Sequence, residues 1–213
     1  WIVSALLITT LSLLFRKPKL VPRGLANFFE FIIVYLQEDV MQPYLGSHSR
    51  KYASYLLTAF FFILLTNLLG LVPGAATATG DISVTAALAL LTFCMVQIAG
   101  VRSHGLWGYL KGLIPPGLPL FILPIMIPVE VVSLFTKHFA LAIRLFANMI
   151  AGHVVIFALL LIIFTFKSWL VGGLTLGGIL FVSLLEILIA LIQAYIFTIL
   201  SAVFIGMAVH QEH

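Results

Sequence analysis

The chain has 213 residues, of which 62% are hydrophobic and only 8% charged. Soluble domains carry about 25% charged residues, so this composition excludes a large soluble core and indicates an integral membrane protein. A formal net charge of +4 is too small and too dispersed for a nucleic-acid surface, and the long apolar runs lack β-barrel alternation, which leaves an all-α bundle.

Trp1 stands where a methionine would be, so a processed or incomplete N-terminus is expected. Residues 1–15 are apolar and end at Arg16, Lys17, Pro18 and Lys19. A span needs about 20 residues, so this segment is predicted to be the end of a first membrane helix. Across 25–45 the pattern changes: Phe28, Phe29, Ile32, Ile33, Leu36 and Val40 recur at three and four, with Glu30, Gln37, Glu38 and Asp39 largely off that stripe. This predicts an amphipathic helix, lying at the membrane interface or packed on a partner. Residues 53–72 form a clear span, opened by Arg50 and Lys51 and closed by Pro73-Gly74, with Asn67 read as an interfacial amide. Residues 82–101 are the next span; they hold Cys94, which as the single cysteine forms no intrachain disulfide. The run SHGLWGYLKGLIPPGLP that follows is punctuated by glycines and by Pro115, Pro116 and Pro119, and predicts a re-entrant or interfacial connector.

Loop charges agree on orientation. If the three spans alternate, Arg16, Lys17, Lys19, Arg23, Arg50, Lys51, Arg102 and Lys111 share one side, and the opposite loop, 73–81, has no basic residue. The basic side is therefore expected to be the inner one, with the N-terminus outside.

From Val129 onward no proline occurs, and the long apolar run is interrupted only by KSWLVGG at 167–173. As one helix, Val129 to Phe166 is about 57 Å long at 1.5 Å per residue, against a hydrocarbon thickness of about 30 Å. An unbroken helix must then tilt by roughly 60°, beyond the usual range. Gly152 is the only site for a break, and glycine is tolerated in membrane helices. A slanted antiparallel hairpin is therefore predicted over 119–166 and 174–210, with its turn near Trp169.

This hairpin carries charge that hydrocarbon disfavours by at least ~2.5–3.5 kcal/mol per group on insertion scales. Glu130, Lys137 and Arg144 are spaced by seven and share a stripe that Asn148 continues. His153, nine residues after Arg144, points half a turn away. In the second arm Glu186 and Gln193 are seven apart on one face. Taken singly, Gln193 is also what interhelical hydrogen bonding requires, His153 suits a satisfied interior histidine, and Lys137 and His138 could snorkel or pair with Glu130. Arg144 is hardest to explain structurally, because a guanidinium cannot neutralise itself by losing a proton. A buried Glu186 without a partner tends to protonate and so can carry a proton.

The stretch RLFANMIAGH from Arg144 to His153 resembles the signature of subunit a of F-type ATP synthases. PVEVVSLFTK before it, EILIALIQAYIFTIL after it and TNLLGLVP near position 70 extend the resemblance over almost the whole chain. It implies a non-catalytic stator subunit of the complex, in the bilayer beside a rotating c-ring and other stator subunits. Such a subunit translocates protons through two half-channels and so couples the proton gradient to ATP synthesis. Carried over by position, Arg144 is the essential arginine, Asn148 and Gln193 are polar neighbours, Glu130 lies on the inner path, and His153 and Glu186 form the acid–histidine pair of the outer path. Set beside each other in an antiparallel hairpin, the implied pairs Arg144 with Gln193 and His153 with Glu186 both centre it near residue 169. Many bacterial members have Glu then His; the order His153 then Glu186 is that of mitochondrial members and implies the mitochondrial inner membrane. The family's small polar residue four before the arginine is Ala140 here, so that contact is missing. No cofactor or metal is implied. There is no Gly-x4-Gly-Lys-Ser/Thr loop and no His-Glu-x-x-His, so nucleotide binding and zinc-protease chemistry fall away. A secondary transporter, or another ion-conducting membrane subunit, is the alternative; repeated Gly/Pro-interrupted helices in the two halves, its usual sign, are not evident.

Overall fold

The computed structural model describes residues 3–5, 8–9, 25–72, 78–112, 122–166 and 168–210. Every element among them is helical. Four helical stretches, Asn27–Gly70, Ile82–Tyr109, Leu123–Phe166 and Trp169–Val209, are long and apolar enough to cross a membrane. The protein is an all-α, polytopic membrane protein. The span expected at 1–15 lies largely outside the described residues; 3–5 and 8–9 are helical.

Helix α1, Leu25–Tyr35, runs into a π-helical stretch, Leu36–Met41, and a single turn, Gln42–Leu45. Pro43 has no N–H to give the carbonyl four residues back, which explains why the regular ladder widens just before it. Gly46 then adopts φ 52°, the left-handed region open to glycine, and the chain reverses into α2, Ser49–Gly70. The reversal is visible in Phe29, whose ring centroid lies 5.5 Å from that of Phe61. Leu36, Val40, Met41 and Leu45 are fully buried. Phe29, Ile32 and Ile33 pack against the same core, so most of the apolar stripe expected to meet an interface or a partner packs within the chain; of that stripe Phe28 stays exposed, as do Phe31 and Val34 beside it. Helix α2 starts before the predicted Ala53, with Arg50 and Lys51 exposed in its first turn, where long cationic side chains reach the membrane surface.

Helix α3, Ile82–Gly112, opens on Asp81, whose carboxylate accepts the Ser83 N–H at 2.8 Å. The span predicted to close at Val101 is not followed at once by a helix end. Helix continues to Gly112, interrupted only by Gly105 at φ 71°, ψ 169°. The break folds the last turns back, so that the Tyr109 ring lies against Gly100, where a Cβ would collide with it. Residues 113–121, the rest of the expected connector, lie outside the described residues.

Helix α4, Leu123–Phe166, has 44 residues and α5, Trp169–Val209, has 41. Gly152 does not interrupt α4, and Pro128 is accommodated near its start. At 1.5 Å per residue α4 is about 66 Å long, so a hydrocarbon layer of about 30 Å contains it only if it lies steeply slanted. The turn is tighter than the expected 167–173: Ser168 is extended (φ −109°, ψ 134°) and helix resumes at Trp169. Glycines 172 and 173, placed by the sequence in the interruption before the second arm, are helical.

The core sits where the second half of α5 meets α2 and α3. Ala190, Ala194, Thr198, Ser201, Ala202 and Gly206 form a buried stripe of small residues on α5. In lipid, helix association depends on close packing more than on hydrophobic transfer, and small residues allow it. Gly206 approaches the Tyr44 carbonyl so closely that a Cβ would collide with it. Toward the turn the hairpin leaves this core: Trp169 is 99% and Leu170 80% exposed, as lipid-facing residues can be.

Candidate functional site

Two separate cavities, each with a few polar groups in largely apolar walls, lie along the hairpin. The first, of about 300 Å³, is lined by Asn67 and Leu71 of α2, by α4 from Leu145 to Val155, and by α5 from Val182 to Gln193. Within it the Asn148 Nδ2 donates to Gln193 Oε1 at 2.7 Å. Gln193 is 2% exposed, and its Nε2 has no hydrogen-bond partner among the described residues. A buried donor left unsatisfied costs about 1–3 kcal/mol, and the cavity beside it has room for water to serve as its acceptor. Glu186 packs on Gly152, where a Cβ would run into the carboxylate, and is close enough to His153 for their charges to interact. His153 directs Nδ1–H to the Met149 carbonyl at 2.9 Å, which leaves Nε2 as its exchangeable nitrogen.

The second cavity, of about 160 Å³, is lined by Glu130, Lys137 and His138 of α4, by Val96, Tyr109 and Gly112 of α3, and by Phe204, Met207 and Ala208 of α5. It shares no lining residue with the first. It lies at the end of α3 that bears Arg102 and Lys111, the side whose charge leads one to expect it to be the inner one, whereas Asn67 and Leu71 place the first cavity toward the loop without basic residues. Among the described residues no ion pair joins Lys137 to Glu130, a pairing the sequence leaves open.

Arg144 lines neither cavity. It lies on α4 between the stretches that do, its side chain is exposed, and among the described residues it has no hydrogen-bond or ion-pair partner. The predicted stripe is therefore divided: Glu130 and Lys137 at one cavity, Asn148 at the other, Arg144 outward between them. Gln193 meets Asn148 instead of the predicted Arg144, a displacement of one helical turn. Glu186 meets Gly152, one residue from the predicted His153.

Asn67, an interfacial amide by its sequence position, is 5% exposed and lines the first cavity with Asn148, Glu186 and Gln193. Its signal is a lone amide inside an apolar run, within the TNLLGLVP stretch, but only the packing of α2 against the hairpin connects it to the others. No group of three His, Cys, Asp or Glu among the described residues is placed to hold a metal.

Slanted helices enclosing two polar cavities, with an unpaired arginine between them, define a polytopic membrane protein with intramembrane polar sites. Residues 1–206 match the family described as ATP synthase A chain. Subunit a of the ATP synthase of Chloroherpeton thalassium is 51% identical over 90% of this chain and 58% of its own length. That of Chlorobium phaeobacteroides is 47% identical over 100% and 64%, and that of Myxococcus xanthus 47% over 100% and 71%. The chain belongs to the ATP synthase A chain family, and it spans about three fifths of the length of the first two relatives. These relatives are bacterial, and the mitochondrial location expected from the order His153 then Glu186 finds no support among them.

Proposed function

We propose that the chain is the proton-conducting stator subunit of an F-type ATP synthase, offering two half-channels to the carboxylates of a rotating c-ring. The observation that carries this reading is the division of polar groups into two cavities that share no lining residue, with exposed Arg144 between them. A guanidinium facing outward at membrane depth needs a counter-charge, and a carboxylate on a neighbouring ring would supply it.

In this mechanism a proton reaches the ring from the outer side through the cavity of Asn67, Asn148, Glu186 and Gln193, with His153 beside it. Histidine exchanges protons in the neutral range, and the Glu186 carboxyl can hold one in a low-dielectric setting. The neutralised ring carboxyl leaves through lipid. After a rotation it reaches the inner cavity, where Glu130 receives its proton. Arg144 stays charged, favours the ionised carboxylate as it passes, and bars direct transfer between the cavities.

The test is ATP synthesis and proton flux in the reconstituted complex carrying Arg144→Ala. Coupled synthesis is expected to be lost; coupled synthesis at the wild-type rate would overturn the proposal.

A further inference from the structure

His138 has no role in the mechanism above, yet it is the most constrained polar side chain of the inner cavity. It is 5% exposed, and Phe93 and Phe204 hold its ring at centroid distances of 5.2 Å each. Its Nδ1 lies 2.8 Å from the Leu134 carbonyl. A carbonyl can only accept, so Nδ1 carries hydrogen and Nε2 is the nitrogen left to gain or lose a proton. That Nε2 is buried without a hydrogen-bond partner among the described residues. The ring lines the cavity with Glu130 and Lys137 from its own helix and Tyr109 from α3; α5 contributes Phe204, Met207 and Ala208, none of which titrates. About 160 Å³ gives room for several waters between these groups.

We infer that His138 is a proton-accepting residue of the inner half-channel, an inference that rests on the proton-conducting reading above. The Nε2 lone pair takes a proton from cavity hydronium, or through water from protonated Glu130, and the ring becomes imidazolium. The same N–H bond breaks when the proton passes on to water at the inner surface. Because Nδ1 is tied to Leu134, uptake and release occur at one nitrogen. His138 is therefore a proton store beside Glu130 and does not pass protons through its ring.

Two measurements on the assembled complex test this. Nitrogen-15 histidine spectra of wild-type complex in membranes, with the His138 signal identified by its loss in His138→Gln, should show Nδ1 protonated throughout. Nε2 should convert from unprotonated to protonated as pH falls through the range between about 8 and 5. An Nε2 that stays in one state over that range would overturn the inference. In proteoliposomes, the inflection of proton flux against inner-side pH in the same range should be lost in His138→Gln and His138→Phe; an unchanged profile would overturn it as well. Should His138→Phe fail to assemble, His138→Gln and the wild-type spectra decide. Arg144→Ala run in parallel separates the two claims. Survival of coupling there removes the proton-conducting reading itself. Loss of coupling there, with the inflection intact in the His138 variants, removes only the role of His138.

Discussion

Gly152 meets the Glu186 carboxylate so closely that one added methyl group would collide with it. The carboxylate is thus placed by the absence of a side chain on the facing helix. Gly152→Ala should displace it while removing no titratable group. Misplacement of about 1 Å at a reacting group can cost on the order of a hundredfold, so proton flux in the reconstituted complex should fall by roughly tenfold or more with assembly intact. Flux equal to wild type would mean the contact positions nothing. The amide pair is expected to behave differently. A double-mutant cycle on Asn148→Leu and Gln193→Leu, read from thermal inactivation of the complex, should give a coupling of about 0.6 kcal/mol, typical of interhelical hydrogen bonds in membranes. At this scale the sequence marks the polar residues well, because each is expensive in an apolar run. It does not fix which of them touch. One helical turn of slip between two apolar arms leaves their hydropathy unchanged, so Gln193 opposite Arg144 and Gln193 opposite Asn148 look alike. Asn67 escapes a sequence reading for a related reason: its partners lie on other helices, beyond the reach of local spacing.

Among the elements, two glycines with opposite duties provide a comparison. Gly105 sits at φ 71° and ψ 169°, a region almost closed to other residues, and a Cβ there would meet nothing within 4 Å. Its restriction is therefore conformational. Gly105→Ala should cost about 1–3 kcal/mol, seen as a lower temperature of thermal inactivation and as loosened packing of Tyr109. Gly173 lies inside α5 and also faces open space. There alanine should be neutral, or stabilising by up to about 1 kcal/mol. Equal effects of the two substitutions would contradict this assignment. The hairpin is legible from length alone, since its arms outrun the bilayer thickness and lack proline beyond Pro128. The extension of α3 past Arg102 is not. Glycine and charge mark a helix end and a helix bend with the same residues, and only the contact of Tyr109 with Gly100 distinguishes them.

Across the whole molecule, the two cavities lie toward opposite ends of the hairpin's packed half, and hence toward opposite sides if the basic loops face inward. The sides can then be addressed separately by clamping pH within and outside proteoliposomes. Glu186→Gln should alter the response of flux to outer pH and leave the inner response unchanged, and Glu130→Gln should do the reverse. A response of both variants on the same side would place both cavities on one path. The all-helical, membrane-spanning character follows from composition, because 8% charge cannot cover a soluble surface. The separation of the polar groups into two enclosures depends on α2 and α3 closing opposite ends of the hairpin, a long-range arrangement that no local pattern encodes.

That separation bears on how such a complex can be built safely. On the proposed reading, the two cavities share no lining residue, and Arg144 faces outward with no hydrogen-bond or ion-pair partner among the described residues. Newly inserted chain should therefore be an insulator. Membranes holding it before a ring arrives should keep their proton gradient, so the order of assembly needs no separate plug against leakage.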